Sequence, residues 1–181
     1  MDEFVDIVDN HQNFLYAISK NEAHRKGLPH RSIHLWLYNA EGQILIQKRS
    51  ANKMCYPNLW DVSVAGHLSS KEDPIQAALR ECKEEIGLEL QAQDLYFYGT
   101  NHKHKVHRPN FIDLEYQQLF LAELKHSLKD LTLQTEEVSE VRLIDLDTLF
   151  DQWESGNPNY IPRNHIYRDL LLKNLTLKLR P

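Results

Sequence analysis

Hydrophobic and polar positions alternate weakly across residues 30–39 and again across 43–49, with Asn39-Ala40-Glu41-Gly42 between the two runs. A period of two interrupted by a short turn ending in glycine predicts a β-hairpin. After a polar loop over 50–58, the apolar run 59–65 predicts a third strand that stops at Gly66.

The period then lengthens. Asp73-Pro74 marks a helix start, because aspartate can accept from the free N–H groups of the first turn and proline is tolerated at the first helical position. Gly87 supplies the stop. At about 100° per residue, Ile75, Leu79, Cys82 and Ile86 fall within one arc, the predicted buried face. Glu81, Glu84 and Glu85 share another arc, with Ala77 and Ala78 one turn earlier. Further strands over 95–99, 111–122 and 138–144, and helices over 146–154 and 163–175, complete an α+β pattern of a mixed sheet flanked by helices. The expectation is one domain over 1–181: a core at about 28–150, an N-terminal extension over 1–27 and a C-terminal helical segment over 151–181.

Composition acts mainly by exclusion. A net charge of −5 leaves no broad basic surface for a nucleic-acid polymer. The strongest basic stretch, residues 102–108, is expected as a loop between two strands. Two cysteines, Cys55 and Cys82, are too few for a disulfide framework and lack a paired metal-ligand spacing. No apolar run approaches the roughly 20 residues that cross a bilayer, and the first ten residues are acidic where a signal peptide would be basic. A cytoplasmic protein with a small-molecule partner is expected, with no membrane partner and room for a homodimer.

The chemistry concentrates on the helix over 74–86. Like charges three and four positions apart repel, and near a helix C-terminus the macrodipole disfavours anions. Crowding Glu81, Glu84 and Glu85 there is costly unless a cation compensates. Hard divalent ions prefer carboxylate oxygens, and Mg²⁺ commonly completes its shell with water and substrate phosphate, so a site for Mg²⁺ or Mn²⁺ against a diphosphate fits.

Reading outward, the segment is Gly66, five residues, Glu72, seven residues, then Arg80-Glu81-Cys82-Lys83-Glu84-Glu85-Ile86-Gly87-Leu88. This resembles the Nudix box, the loop-helix-loop signature of the Nudix hydrolases, at every fixed position. The resemblance implies a mixed-sheet sandwich flanked by helices and hydrolysis of a nucleoside diphosphate derivative or a related diphosphate. It also implies that Glu81, Glu84 and Glu85 hold the metal ions while Arg80 orients a carboxylate.

The similarity extends to the branch related to type I isopentenyl-diphosphate isomerase, carried by Ala23-His24, His30-Arg31, Gln47-Lys48-Arg49-Ser50, Lys53, Tyr56-Pro57-Asn58-Leu59-Trp60 and Gly66-His67. That resemblance implies a second metal set of His24, His30, His67, Asp113 and Glu115, and diphosphate binding by Lys20, Arg49 and Lys53. His24 and His30 stand one residue closer than in the isomerase pattern. Ala65 occupies the position of the isomerases' catalytic cysteine and cannot exchange a proton, while the hydrolase carboxylates are intact. The resemblance therefore favours hydrolysis over isomerisation of a prenyl diphosphate, and over a non-catalytic diphosphate-binding domain.

Overall fold

The structure, a computed structural model, describes residues 3–179. Among them, nine strands join one mixed sheet whose centre is β3 (His30–Tyr38). β3 pairs in parallel with β8 (Phe111–Glu123), in register His30↔Glu115 to Tyr38↔Glu123. It pairs antiparallel with β6 (Val64–His67), with β4 (Gln43–Arg49) beyond the turn, and with β1 (Phe4–Val8). β2 (Phe14–Ser19) lies outside β1, β9 (Val138–Asp145) outside β4, and β7 (Tyr96–Arg108) outside β8.

Because strand side chains alternate between faces, β3 builds two cores at once. Ile33, Leu35 and Leu37 pack with Leu45, Val64 and Phe120 against Ala78, Cys82 and Ile86 of α2 (Pro74–Ile86). Trp36 packs on the opposite face with Ile44, Ile46, Leu119 and Leu121 against Leu149 of α3 (Leu146–Glu154) and Tyr167, Leu171 and Leu175 of α4 (His165–Leu179). Burial on both faces is why the second half of β3, residues 35–38, is wholly apolar and the alternation along the strand is weak.

Four expectations change. The run 59–65 forms two short strands, β5 (Trp60–Asp61) and β6, because side chains replace the ladder between them. Ser63 Oγ accepts from the Leu37 N–H at 2.8 Å and donates to the Leu45 carbonyl at 2.6 Å, and Asp61 Oδ1 accepts from the Val62 N–H. The basic stretch 102–108 is strand, not loop: β7 runs thirteen residues against β8, and Lys105↔Asp113 and Lys103↔Glu115 match opposite charges across the ladder. The N-terminal extension contributes β1, β2 and α1 (Lys20–Lys26) to the same sheet system, with Ile7 opposite His30. Finally, the buried arc of α2 is turned toward its acidic side. Ala77, Ala78, Cys82, Glu85 and Ile86 are buried, whereas Leu79 is partly exposed.

Candidate active site

α2 is placed by its ends. Asp73 Oδ1 accepts from the Ile75 N–H at 2.8 Å, and Gly87, at φ 71°, returns its N–H to Lys83. The helix then passes so close to β6 that a Cβ on Gly66 would lie 2.0 Å from the Glu81 carboxyl carbon. Only glycine leaves room for that carboxylate, which is the physical reason for a glycine at this strand position. Next to it, Glu85 Oε2 accepts from Gln47 Nε2 at 2.9 Å and from the Ala65 N–H at 3.2 Å.

Arg80 ties the cluster together. Its Nε and Nη2 bond Glu72 at 2.8 and 2.9 Å, Nη2 also reaches the His67 carbonyl, and Nη1 bonds Glu81 at 2.8 Å and Glu84 at 3.0 Å. Burial works against ionisation of Glu72, but the Arg80 bonds hold its carboxyl below the ordinary value. For Glu81 burial wins and pushes the carboxyl up to about 7 despite Arg80. Glu85 is pushed up to about 8, by burial first and then by the charge of Glu81. Two hidden carboxyls that resist ionising together are a fitting donor set for a hard divalent cation, whose charge removes that resistance.

β6 carries a second constellation on its other face. The ring nitrogens of His24, His30 and His67 converge to within 4.8 Å of one another. His30 Nδ1 lies 2.8 Å from the Leu28 carbonyl, which assigns the proton to that nitrogen, and the buried Nε2 atoms of His30 and His67 meet no partner. Burial holds His30 below, and His67 well below, the ordinary imidazole value, so both present lone pairs at neutral pH. The trio fits a metal ion that takes imidazole donors.

Asp113 and Glu115, expected beside these histidines, are engaged by protein donors. Asp113 meets His24 Nδ1 at 3.3 Å, Lys103 Nζ at 2.6 Å and His107 Nε2 at 2.8 Å. Glu115 accepts from Ser32 Oγ at 2.8 Å and Gln117 Nε2 at 3.1 Å, with Lys103 at 3.9 Å. Burial disfavours their charge, but His24 and Lys103 hold Asp113, and Lys103 with His67 holds Glu115, well below the usual carboxylate range. In this arrangement the Ile112 carbonyl, 3.3 Å from Nδ1, and Asp113 together orient the His24 ring, the role that backbone carbonyls and carboxylates commonly take behind a ligating histidine.

The acidic wall and all of this second constellation except His30 line one cavity of about 720 Å³. Lys20, Arg49 and Lys53 line it as well, each already paired: Lys20 with Glu3, Arg49 with Asp61, and Lys53 with Glu137. All of the expected residues but His30 therefore meet around one space.

Comparison with known proteins matches residues 28–163 to the NUDIX domain. The chain belongs to the Nudix family. It is 34% identical over 151 residues to an uncharacterized Nudix hydrolase of Clostridium acetobutylicum, covering 82% of this chain and 72% of the relative. It is 30% identical over 148 residues to a protein of Photorhabdus laumondii named isopentenyl-diphosphate Delta-isomerase 2, covering 81% and 79%. A crystal structure from Deinococcus radiodurans, DR0079, superposes with a TM-score of 0.71 over 99% of this chain and all of that one; at 20% identity it speaks for the fold alone. Divalent metals are general in the Nudix family. No helix among the described residues is long and apolar enough to cross a membrane.

Three residues of this Nudix site escape sequence reasoning: Asp61, Lys103 and Arg163 all line the cavity. Asp61 had a signal, a charge inside an apolar run, which calls for a buried partner. Lys103 and Arg163 had none, since each meets its counter-charge only through the fold.

Proposed function

We propose that this Nudix protein is a divalent-metal-dependent hydrolase that cleaves a phosphoanhydride bond in a small-molecule diphosphate, a nucleoside diphosphate derivative or a related compound. One observation carries the reading: Glu85, buried, and Glu81, half-buried against Gly66, line the cavity wall with their carboxyls raised to about 8 and 7, and Arg80 bridges Glu72, Glu81 and Glu84. A charge-deficient carboxylate cluster of this kind supports holding Mg²⁺ or Mn²⁺ through Glu81, Glu84 and Glu85.

When bound, such ions supply Lewis-acid polarisation of phosphoryl oxygens and charge for the leaving group. The protein's own side chains do the rest. Arg80 fixes Glu81 and Glu84 by charge-assisted hydrogen bonds, and Gln47 with the Ala65 N–H fixes Glu85. Lys20, Arg49 and Lys53 stand where they can exchange a carboxylate partner for a phosphate oxygen, and the walls hold the substrate in place against the cluster.

A second reading, isomerisation of a prenyl diphosphate, draws support from the His24–His30–His67 trio and the isomerase-named relative. It lacks a proton donor where Ala65 stands, and Cys82 is buried in the core under α2 with its thiol pushed up to about 12. The deciding experiment is turnover of a panel of nucleotide sugars, dinucleotides, nucleoside di- and triphosphates and prenyl diphosphates with Mg²⁺ or Mn²⁺. Release of phosphate or a monophosphate, abolished by chelation, is the expected result. Inactivity on the whole panel sinks the hydrolytic reading, and deuterium exchange into isopentenyl diphosphate without cleavage establishes the other.

A further inference from the structure

Beside the cavity, two guanidiniums converge on one buried carboxylate. Arg49, at the end of β4, places Nη1 3.2 Å from Asp61 Oδ2, and Arg163, just ahead of α4, bonds Oδ1 of the same group. The three side chains are only 16%, 8% and 5% exposed for Arg49, Arg163 and Asp61. Among the described residues, Asp61 is the single carboxylate within ion-pair distance of either arginine. The other carboxylate whose field reaches Arg163 is Glu115, already engaged by Ser32, Gln117 and Lys103. Two positive charges thus face one negative charge where little water reaches them.

The neighbours offer no further negative charge. Arg163 lies over the Tyr167 ring at 5.0 Å. The Tyr167 hydroxyl accepts from Trp36 Nε1 at 2.9 Å and meets His34 Nδ1 at 2.8 Å. Burial pushes His34 down to about 3 and raises Tyr167 above the ordinary phenol value, so both groups are neutral at physiological pH. The guanidinium is therefore held still and incompletely neutralised. Burying an unpaired charge is strongly unfavourable, whereas a planar guanidinium facing two oxygens of a phosphoryl group forms a matched fork. Within the same cavity the balance is reversed at Lys103, where one ammonium faces two carboxylates, Asp113 and Glu115.

We propose that Arg163, held by Asp61 and acting with Arg49, binds a phosphoryl oxyanion of the substrate and so sets the enzyme's affinity for it. This rests on the diphosphate reading above and adds a binding residue from outside the box and outside the expected Lys20, Arg49 and Lys53 set. Asp61 is a positioning residue, oriented toward both arginines and not toward the ligand.

The test is calorimetric titration of inorganic pyrophosphate into the full chain in chelator, with wild type, Arg163→Gln and Arg163→Lys. Arg163→Gln is expected to weaken binding about tenfold or more, which at about 1.4 kcal/mol per decade is a change calorimetry resolves, and Arg163→Lys to recover part of it. On any substrate turned over, KM should rise by a similar factor with kcat nearly unchanged. Should Arg163→Gln fail to fold, as judged by near-ultraviolet circular dichroism, the lysine variant decides, since it keeps the charge and loses the fork. Wild-type affinity in a folded variant, or no binding by the wild type at millimolar pyrophosphate, overturns the proposal. Arg163-dependent pyrophosphate binding without turnover of any substrate leaves the proposal standing and overturns hydrolysis instead.

Discussion

The two walls of the cavity carry buried carboxylates whose proton affinities run in opposite directions. On α2, Glu81 and Glu85 are raised to about 7 and about 8 by burial. On β8, Asp113 and Glu115 are just as hidden, yet Lys103 and the neighbouring imidazoles hold both well below the ordinary range. The difference is a built-in cation. Arg80 is divided among Glu72, Glu81 and Glu84, and Glu85 is bonded by the neutral donors Gln47 and Ala65. Burial alone does not decide the charge of a site. The wall short of internal positive charge is the one fitted to receive it from solution.

The largest expected effect comes from removing charge on the deficient wall. Glu85→Gln should lower turnover by more than the roughly 10–100-fold typical of outer-shell changes at metal sites. Without metal, its melting temperature should hold or rise, because a buried carboxyl is replaced by a neutral amide. Residual activity within a few-fold of wild type would show that Glu85 is scaffolding.

A change on the self-compensated wall should act on stability first. Lys103→Met leaves Asp113 and Glu115 without their ammonium, and breaking a buried pair from one side costs about 3–5 kcal/mol. Denaturant unfolding at pH 7 should show that loss, with part of it recovered toward pH 5 as the freed carboxyls take up protons. A loss below about 1 kcal/mol, the range of an exposed pair, would mean the wall is not self-compensated.

The smallest effect is a pH dependence. Glu81 and Glu85 bind protons more tightly folded than unfolded, so their contribution to stability is greatest at low pH and is lost as pH rises through about 7 and 8. His30 and His67 act in the opposite sense, but their contribution is complete once pH exceeds the ordinary imidazole value of about 6.5. In chelator, thermal stability should therefore fall between about pH 7 and 8.5 and then level, and saturating Mg²⁺ should flatten the slope. A slope unchanged by Mg²⁺ would detach the two glutamates from metal binding.

The acidic wall was legible because its residues are contiguous on one helix: the spacing from Gly66 to Leu88 states the constellation in a single stretch. The hairpin, α2 and its caps follow from local periodicity and turn chemistry for the same reason. His24, one residue out of step with the isomerase pattern, still reaches His30 and His67 because α1 carries it there. What remained hidden depends on partners far apart in sequence. Arg163 meets Asp61 across 102 positions, and Lys103 faces inward to Asp113 although its stretch reads as a solvated basic loop. The strands of the first 27 residues were missed because β2 keeps Phe14, Leu15 and Tyr16 exposed and shows no clean alternation of buried and polar positions.

The pleat of β6 has a consequence for how this protein can change. Gly66 turns its face to Glu81 while His67, one step along, turns to the histidine trio, and the pairing Ile33↔Gly66 and Ser32↔His67 locks both orientations. A single inserted or deleted residue ahead of this strand would exchange inside for outside at every position and dismantle both centres together. Neither can be lost or remodelled by a length change here without the other, so along this segment the chain is free to vary by substitution alone.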